Sequence, residues 1–195
     1  MIDFSYIRYH PKKYWQRRGK TYLNEQFDKK FKKNEENKFV EYLKNIEFNT
    51  VFEFGCGFGR MTKLILDNFD INDYTAIDVS IDQINNAKKQ GMDKVKFYQS
   101  MIMDFSTERK FDLVFGTKVL MHIPEKQIIP TIQKLISFSK KHIINLDSYE
   151  PNLTQRLARH CFNHNYKEIY TDKGLDVKTF PVDKTGSIFH AQHLL

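Results

Sequence analysis

Three glycines at alternate positions mark the part of the sequence best suited to chemistry. Gly55, Gly57 and Gly59 lie between an apolar run that predicts a strand and a helical pattern that begins at Arg60. Glycine at such a turn lets the backbone approach a ligand closely and adopt a positive φ. The N-terminus of the following helix offers unpaired N–H groups to an anionic group. The segment therefore predicts a nucleotide-binding loop.

The spacing of the glycines and two nearby acids narrow the choice of ligand. A dinucleotide fingerprint has its third glycine five residues after the first, and Arg60 stands at that position. Glu53 precedes the first glycine by two residues, where a carboxylate would repel a pyrophosphate but attract an ammonium group. Asp78 ends the next predicted strand, where an acid accepts hydrogen bonds from ribose hydroxyls. Asp78 fits NAD as well as other adenosine cofactors, whereas Glu53 favours a cofactor that bears an amino acid.

The rest of the chain predicts an open α/β sheet that would position this loop. Apolar β-type runs alternate with helical patterns after residue 50, which indicates parallel strands with crossover helices. Two later runs joined by a turn-like segment indicate an antiparallel pair. We therefore expect a doubly wound, Rossmann-like seven-stranded sheet, parallel except for one antiparallel strand near the C-terminus, with helices on both faces. The predicted strands are Thr50–Phe54, Tyr74–Asp78, Val95–Tyr98, Phe111–Phe115, His142–Leu146, Leu175–Val182 and Ser187–Leu194.

Two helices outside this alternation are also predicted. Glu35–Ile46 is amphipathic and should lie on one face of the sheet, and Leu153–Phe162 has a helical pattern. Pro130 interrupts the helical pattern before the fifth strand, so that helix is expected to start late or to kink there.

Positive charge is concentrated near the N-terminus. The net charge is +7, and ten basic residues between positions 8 and 33 stand against Glu25 and Asp28. A basic segment of this kind is either an ordinary solvated helix or a contact surface for RNA, DNA or another anion. We divide the chain into an N-terminal basic and aromatic arm, residues 1–33, and one domain, residues 34–195.

The composition favours a soluble cytoplasmic protein. No run is apolar enough to span a membrane, and no secretory opening is visible. The two cysteines, Cys56 and Cys161, are too few for a secreted disulfide framework. We expect no membrane partner, and the oligomeric state stays open.

Four ordered segments resemble the motifs of class I S-adenosylmethionine-dependent methyltransferases, of the type that acts on small molecules. Glu53–Gly59 (EFGCGFG) is similar to the first motif, and Asp78 matches the ribose-binding acid of the second. Gln99–Phe105 looks like the adenine-contacting segment, and Phe111–Pro124 looks like the fourth strand with its following turn. The resemblance implies strand order 3-2-1-4-5-7-6 and S-adenosylmethionine as the cofactor.

The resemblance also implies which residues hold the cofactor. Glu53 and the glycine loop would hold the methionine end, Asp78 the ribose, and Met101 and Ile102 the adenine. Met101 stands where many members of the family carry an acid, so a side-chain contact to the adenine amino group is not implied. Cys56 is interpreted as a small neutral filler of the loop. The predicted cofactor-binding residues are Glu53, Gly55, Cys56, Gly57, Gly59, Asp78, Val79, Met101, Ile102, Thr117, Lys118 and Arg18.

Two histidines are candidate general bases. His122 follows the fourth strand and His164 follows the fifth, and an imidazole titrates near neutral pH. A capping or surface role is the alternative for each. His160, Cys161 and His164 have a spacing that could bind metal, but a closed zinc site needs about four ligands, so no metal site is predicted.

The arm contains an unusual mixture of aromatic and basic residues between Tyr14 and Tyr22. It is interpreted as a lid over the site, with Arg18 on the cofactor carboxylate. The alternative is an apolar staple that docks the arm on the sheet.

The sequence thus favours in-line methyl transfer to a small metabolite or sugar-type acceptor. Two alternatives stay open. One is an RNA methyltransferase that uses the basic arm, and the other is a non-catalytic domain that binds S-adenosylmethionine.

Overall fold

A computed structural model describes residues 9–26, 30–151, 158–184 and 186–194 of the chain. Its centre is a seven-stranded sheet in the order β3-β2-β1-β4-β5-β7-β6. The first five strands pair in parallel, and β7 runs antiparallel to both of its neighbours. The predicted fold class and strand order are therefore confirmed. The strands are β1 Thr50–Phe54, β2 Asp73–Asp78, β3 Val95–Gln99, β4 Phe111–Thr117, β5 Ser139–Ser148, β6 Leu175–Pro181 and β7 Gly186–His193.

Helices cover both faces of the sheet, and each face has its own apolar core. On one face α2, α3 and α4 bury side chains such as Phe39, Ile65 and Ile84 against β1 and β2. On the other face α5 and α6 bury Ile132 and Tyr170 against β4 and β5. Burial on both faces explains why the central strands are nearly continuous apolar runs. The helices are α1 Pro11–Gln26, α2 Lys30–Leu43, α3 Arg60–Asn68, α4 Ile81–Lys88, α5 Glu125–Phe138 and α6 Tyr166–Thr171, with a short 3-10 helix at Leu120–His122.

The sequence and the structure differ at several boundaries. β5 is ten residues long and begins at Ser139, ahead of the predicted start at His142. α5 begins at Glu125 and continues through Pro130, so the late start expected for this helix was wrong.

Two predicted boundaries concern parts of the chain that are described only incompletely. In the predicted helix Leu153–Phe162, residues 153–157 lie outside the described chain. Residues 158–160 form a bend and a turn, and residues 161 and 162 have no regular secondary structure. α2 crosses the proposed boundary between residues 33 and 34, and the division into arm and domain stays a proposal.

Within the part of the chain that the structure describes, no helix combines the length and the apolar character needed to cross a membrane.

Candidate active site

A cavity of about 180 Å³ lies beyond the carboxyl ends of the parallel strands. This edge of an open α/β sheet is where such folds bind ligands. One side, which we call the strand wall, comes from residues at or just after the ends of β1 to β4. The opposite side, the helix wall, comes from α1, the 3-10 helix and α5. The strand wall comprises Glu53, Gly55, Cys56, Gly57, Asp78, Val79, Met101, Ile102, Thr117 and Lys118, and the helix wall comprises Pro11, Trp15, Gly19, Tyr22, His122, Gln127 and Thr131.

Glu53 is a buried carboxyl group held by two hydroxyls. Its Oε2 accepts hydrogen bonds from Thr62 Oγ1 at 2.6 Å and Tyr74 Oη at 2.7 Å. Only 2% of the residue is exposed, and burial raises the pKa of Glu53 to about 7, although the two hydroxyl donors counteract part of this effect. A cationic group in the cavity would therefore stabilise the ionised form of Glu53 and lower its pKa.

Asp78 closes the glycine loop. Its Oδ2 accepts a hydrogen bond from the Gly57 N–H at 3.0 Å, and its Oδ1 accepts one from the Ser80 N–H at 2.8 Å. Burial raises the pKa of Asp78, and these backbone donors counteract the effect. A carboxylate offers about four lone-pair sites, so Asp78 can still accept a further donor such as a ribose hydroxyl.

The glycine loop uses backbone conformations that other residues rarely adopt. Gly55, Gly57 and Gly59 have φ angles of 68°, 57° and 85°. A Cβ on Gly55 would lie 2.4 Å from Val119 Cγ2, so any other residue here would require Val119 to move. Gly59 does not line the cavity but caps the N-terminus of α3. The loop is therefore shaped by backbone that passes close to both β2 and the segment after β4.

Gln83 joins α1 to the cavity. Its Nε2 donates a hydrogen bond to the carbonyl of Gly19 in the middle of α1. Its Oε1 is buried and has no hydrogen-bond partner among the described residues. A Cβ on Gly19 would lie 2.1 Å from Ser80 Oγ, so glycine is what lets α1 approach the start of α4. An unpaired buried acceptor is costly, and Oε1 is therefore placed to receive a donor from a ligand.

Lys118 and Arg60 line the cavity, and each forms an ion pair with a glutamate in the first half of α2. Lys118 Nζ lies 2.7 Å from Glu35 Oε1, and the guanidinium of Arg60 contacts Glu36. Lys118 also has a φ of 56° although it is not glycine, and strain of this kind is common at functional sites. These ion pairs fix both side chains at the edge of the strand wall.

Three aromatic rings line the helix wall, and hydrogen bonds fix the position of α1 against it. Trp15 Nε1 donates to Tyr9 Oη at 3.2 Å, and Tyr9 Oη donates to the His122 carbonyl at 3.0 Å. The rings of Trp15 and His122 lie 4.6 Å apart, centroid to centroid. α1 is thereby tied to the segment that follows β4.

His122 also contacts the segment that follows β5. Its Nδ1 lies 2.8 Å from the His160 carbonyl oxygen and 3.8 Å from Cys161 Sγ. Tyr14 Oη lies 3.3 Å from His160 Nδ1, and the His122 and His160 rings stack at 5.1 Å. Burial lowers the pKa of His122 to about 4, so its imidazole is neutral at physiological pH.

A buried network below this wall holds the 3-10 helix in place. Asp147 Oδ1 accepts a hydrogen bond from the Met121 N–H at 3.4 Å, and its Oδ2 accepts one from Asn145 Nδ2 at 3.0 Å. Asn145 Oδ1 in turn accepts one from Tyr170 Oη at 3.1 Å. Burial raises the pKa of Asp147 to about 7. The network connects β5 and α6 to the residue next to His122.

The structure brings most of the predicted site residues together. All predicted cofactor-binding residues except Gly59 and Arg18 line the cavity, as does His122. Arg18 instead lies over the Tyr22 ring at 5.9 Å. His164 is buried away from the cavity, with its Nε2 2.8 Å from the Ile123 carbonyl oxygen, which indicates a structural role.

Several residues of the site were missed from the sequence. Thr62 and Tyr74 hold Glu53, Gln83 reaches the cavity, and Asp147 supports the 3-10 helix. A polar residue in an otherwise apolar strand or helix face was the available signal, because such a residue needs a partner when buried.

Residues 51–142 match the family model of the methyltransferase domain. The malonyl-[acyl-carrier protein] O-methyltransferase of Priestia megaterium is 30% identical over 115 residues, which cover 58% of this chain and 41% of that protein. A second such enzyme, from Ilyobacter polytropus, is 29% identical over 91 residues, 46% of this chain and 34% of that one. The matches thus span well under half of these relatives' length.

Solved structures of low sequence identity have the same fold. Magnesium protoporphyrin IX methyltransferase from Synechocystis, determined with bound S-adenosylmethionine, aligns with a TM-score of 0.75 at 16% identity, covering 95% of this chain and 98% of that one. The N-methyltransferase NodS from Bradyrhizobium japonicum aligns with a TM-score of 0.70 at 17% identity, covering 86% and 99%.

Proposed function

We propose that this chain, which belongs to the class I S-adenosylmethionine-dependent methyltransferases, binds S-adenosylmethionine on its strand wall and transfers the methyl group to a small acceptor on its helix wall. The observation that carries the proposal is the convergence of Glu53, the glycine loop and Asp78 on one cavity. When bound, S-adenosylmethionine supplies a methyl group already activated by its sulfonium.

The residues of the strand wall fit this cofactor. Glu53 binds its ammonium group, since a buried carboxyl favours a cationic partner. Asp78 accepts from its ribose hydroxyls with the lone pairs that the Gly57 and Ser80 N–H groups leave free. The unpartnered Oε1 of Gln83 supplies a further acceptor in the same cavity. Val79, Met101 and Ile102 border the adenine, and Thr117 and Lys118 border the reacting centre.

His122 is the residue that we place beside the acceptor. Of the two predicted histidines it alone lines the cavity. Its ring is fixed by the His160 carbonyl and by Trp15, so it can orient an acceptor atom and take its proton. Orientation of the reacting atoms is the main contribution that the protein can make to an in-line displacement.

A small acceptor is supported by the lining of the cavity. Flat rings with a few polar groups line the helix wall. α1 closes this side through Pro11, Trp15, Gly19 and Tyr22. We propose that α1 is a lid that must move for ligands to enter.

RNA as the acceptor is a second candidate, favoured by the outer face of α1. Lys13, Arg17 and Lys20 are exposed at helical spacing on this face, as a phosphate-binding stripe would require. RNA binding should weaken steeply between 50 and 200 mM salt, on the order of 10³-fold for six phosphate contacts. If the protein ignores RNA at 50 mM salt, this candidate fails.

Calorimetry with S-adenosylhomocysteine tests the donor site. We expect stoichiometric binding that weakens by about tenfold or more in Asp78→Asn, because one backbone N–H then faces an amide NH₂ group. Equal affinity in wild type, Glu53→Ala and Asp78→Asn would overturn the assignment of the strand wall. Incubation with S-adenosylmethionine and a fractionated cell extract, followed by mass spectrometry, tests transfer and finds the acceptor.

A further inference from the structure

Three potential metal ligands meet where the helix wall joins the segment after β5. His122, His160 and Cys161 each offer one ligand atom, and these atoms lie within 4.8 Å of one another. They come from the 3-10 helix after β4 and from the turn at residues 158–160 with the residue that follows it. We propose that these three side chains bind one divalent zinc ion at the acceptor side of the cavity.

The surroundings of the two histidines have the pattern expected around a metal. Metal-ligating histidines usually donate their other ring N–H to an oxygen atom, which fixes the ring. His122 Nδ1 lies 2.8 Å from the His160 carbonyl oxygen, and His160 Nδ1 lies 3.3 Å from Tyr14 Oη. Each ring therefore has an oxygen atom beside Nδ1 that can hold its orientation.

The ligand set selects the kind of metal. Two imidazole nitrogens and one thiolate suit zinc, whereas magnesium and calcium prefer oxygen ligands. Three protein ligands leave one position open on a tetrahedral ion, as in catalytic zinc sites. Of the three ligands His122 lines the cavity, so the site adjoins the cavity through this residue.

This site would specify the acceptor, and in that respect the inference rests on the proposed function. A hydroxyl or thiol of the acceptor would fill the open position on zinc. The metal lowers the pKa of such a group, and the released proton passes to solvent. His122 would then act by holding the metal and not by taking the proton itself.

Cobalt(II) serves as the spectroscopic probe for the site. The full chain is freed of metal with a chelator and titrated with Co²⁺. We expect one equivalent to bind, with visible d–d bands of tetrahedral cobalt and a near-ultraviolet thiolate-to-cobalt band. Zinc should displace the cobalt and abolish both signals. No saturable cobalt spectrum would overturn the proposal.

Variants assign the ligands. Cys161→Ser should lose the thiolate band, and His160→Ala should weaken zinc binding by about 100-fold or more. Tyr14→Phe, which removes only the oxygen at His160 Nδ1, should weaken it by about 10-fold. His164→Gln is the matched control, because this histidine lies in the same segment but outside the cluster, and it should bind zinc as wild type does.

Two further outcomes keep this inference separate from the proposed function. A thiolate band that survives in Cys161→Ser and disappears in Cys56→Ser would overturn the site. S-adenosylhomocysteine binding is measured on every variant, because it reports an intact fold and depends on the strand wall. Metal binding without S-adenosylhomocysteine binding would overturn the proposed function alone.

Discussion

The two walls of the cavity are built in opposite ways. The strand wall begins from adjacent parallel strands, and Glu53, Gly57 and Asp78 lie within 26 residues of one another. The helix wall joins residues far apart in the chain, since Tyr9 bonds to His122 and Tyr14 contacts His160 across 113 and 146 positions. The strand wall is therefore an outcome of local turn chemistry and strand register. The helix wall depends on how α1 and the segments after β4 and β5 pack together.

The two walls should therefore differ in what they recognise. The strand wall serves a general recognition, and the helix wall one that is particular to this protein. A loop built from glycines and backbone N–H groups binds the same parts of the cofactor whatever the acceptor is. A wall made from side chains of distant segments changes with each substitution in them. We therefore expect the identity of the acceptor to reside in the helix wall.

The largest predicted effect comes from Gly55, where the strand wall touches Val119 in the segment between β4 and the 3-10 helix. In Gly55→Ala the new Cβ would lie 2.4 Å from Val119 Cγ2, at a φ of 68°. We expect S-adenosylhomocysteine affinity to fall by about 100-fold or more, from steric conflict together with backbone strain of about 1–3 kcal/mol. Calorimetry measures the loss.

Gly174→Ala is the matched control for backbone strain. Its φ of 77° is similar, but nothing lies within 4 Å of the new Cβ. It should lower thermal stability and leave the affinity unchanged. Equal losses of affinity in the two variants would mean that the close approach of Gly55 and Val119 is unimportant.

A smaller effect is predicted where α1 meets α4. In Gly19→Ala the Cβ would lie 2.1 Å from Ser80 Oγ and 2.7 Å from Ser80 Cβ, so α1 must move outward. We expect a loss of about 1–3 kcal/mol in the free energy of unfolding and faster release of S-adenosylhomocysteine in stopped-flow experiments.

The double variant Gly19→Ala/Ser80→Gly should restore both properties. It removes the two atoms closer than 3.0 Å and leaves only Gln83 Cγ at 3.2 Å, at the end of a flexible side chain. Glycine is also tolerated at the N-cap that Ser80 provides for α4. Failure of this rescue would show that Gly19 acts through something other than the approach of the two helices, and would remove the support for a lid.

The raised pKa of Glu53 predicts that both stability and ligand binding at the strand wall depend on pH. Burial raises its pKa from 4.5 to about 7, so between these values the folded protein holds a proton that the unfolded chain has lost. The Glu53 contribution to the free energy of unfolding therefore falls as pH rises from 4.5 to 7. The ammonium group of a ligand favours the ionised carboxylate. S-adenosylhomocysteine should therefore bind more tightly as pH rises from 4.5 to 7, by up to about tenfold per pH unit.

Glu53→Gln should flatten the affinity profile, which calorimetry between pH 5 and 8 measures. In chemical denaturation it should remove only its own part of the fall in stability, because Asp147, whose pKa is also raised to about 7, still contributes. A wild-type affinity that does not change with pH would contradict the assignment of Glu53 to the ammonium group.

The sequence predicted the strand wall well because its determinants are local. Gly55 and Gly57 reveal a turn of positive φ, and Asp78 occupies a strand end whose direction the alternating pattern predicts. The strand order came from the resemblance of these motifs to a family, and periodicity alone did not supply it.

The helix wall could not be predicted because its contacts form only in the folded chain. His122 was identified by its place after β4, but His164 was paired with it on similar grounds and lies elsewhere, against the Ile123 carbonyl. The helical spacing of His160 and His164 suggested that they act together. Residues 158–160 form a turn instead, and His160 and Cys161 lie beside His122. No sequence pattern shows which turn meets which strand end.

The chain contains a single tryptophan, Trp15, and this residue lies between α1 and His122 in the helix wall. All indole fluorescence of the protein therefore originates at one ring, which lines the cavity beside His122. Motion of α1 alters the polarity around that ring, and a bound aromatic compound or paramagnetic cobalt quenches it. The protein thus carries its own optical probe, with which unlabelled compounds can be screened for the acceptor before any product is known.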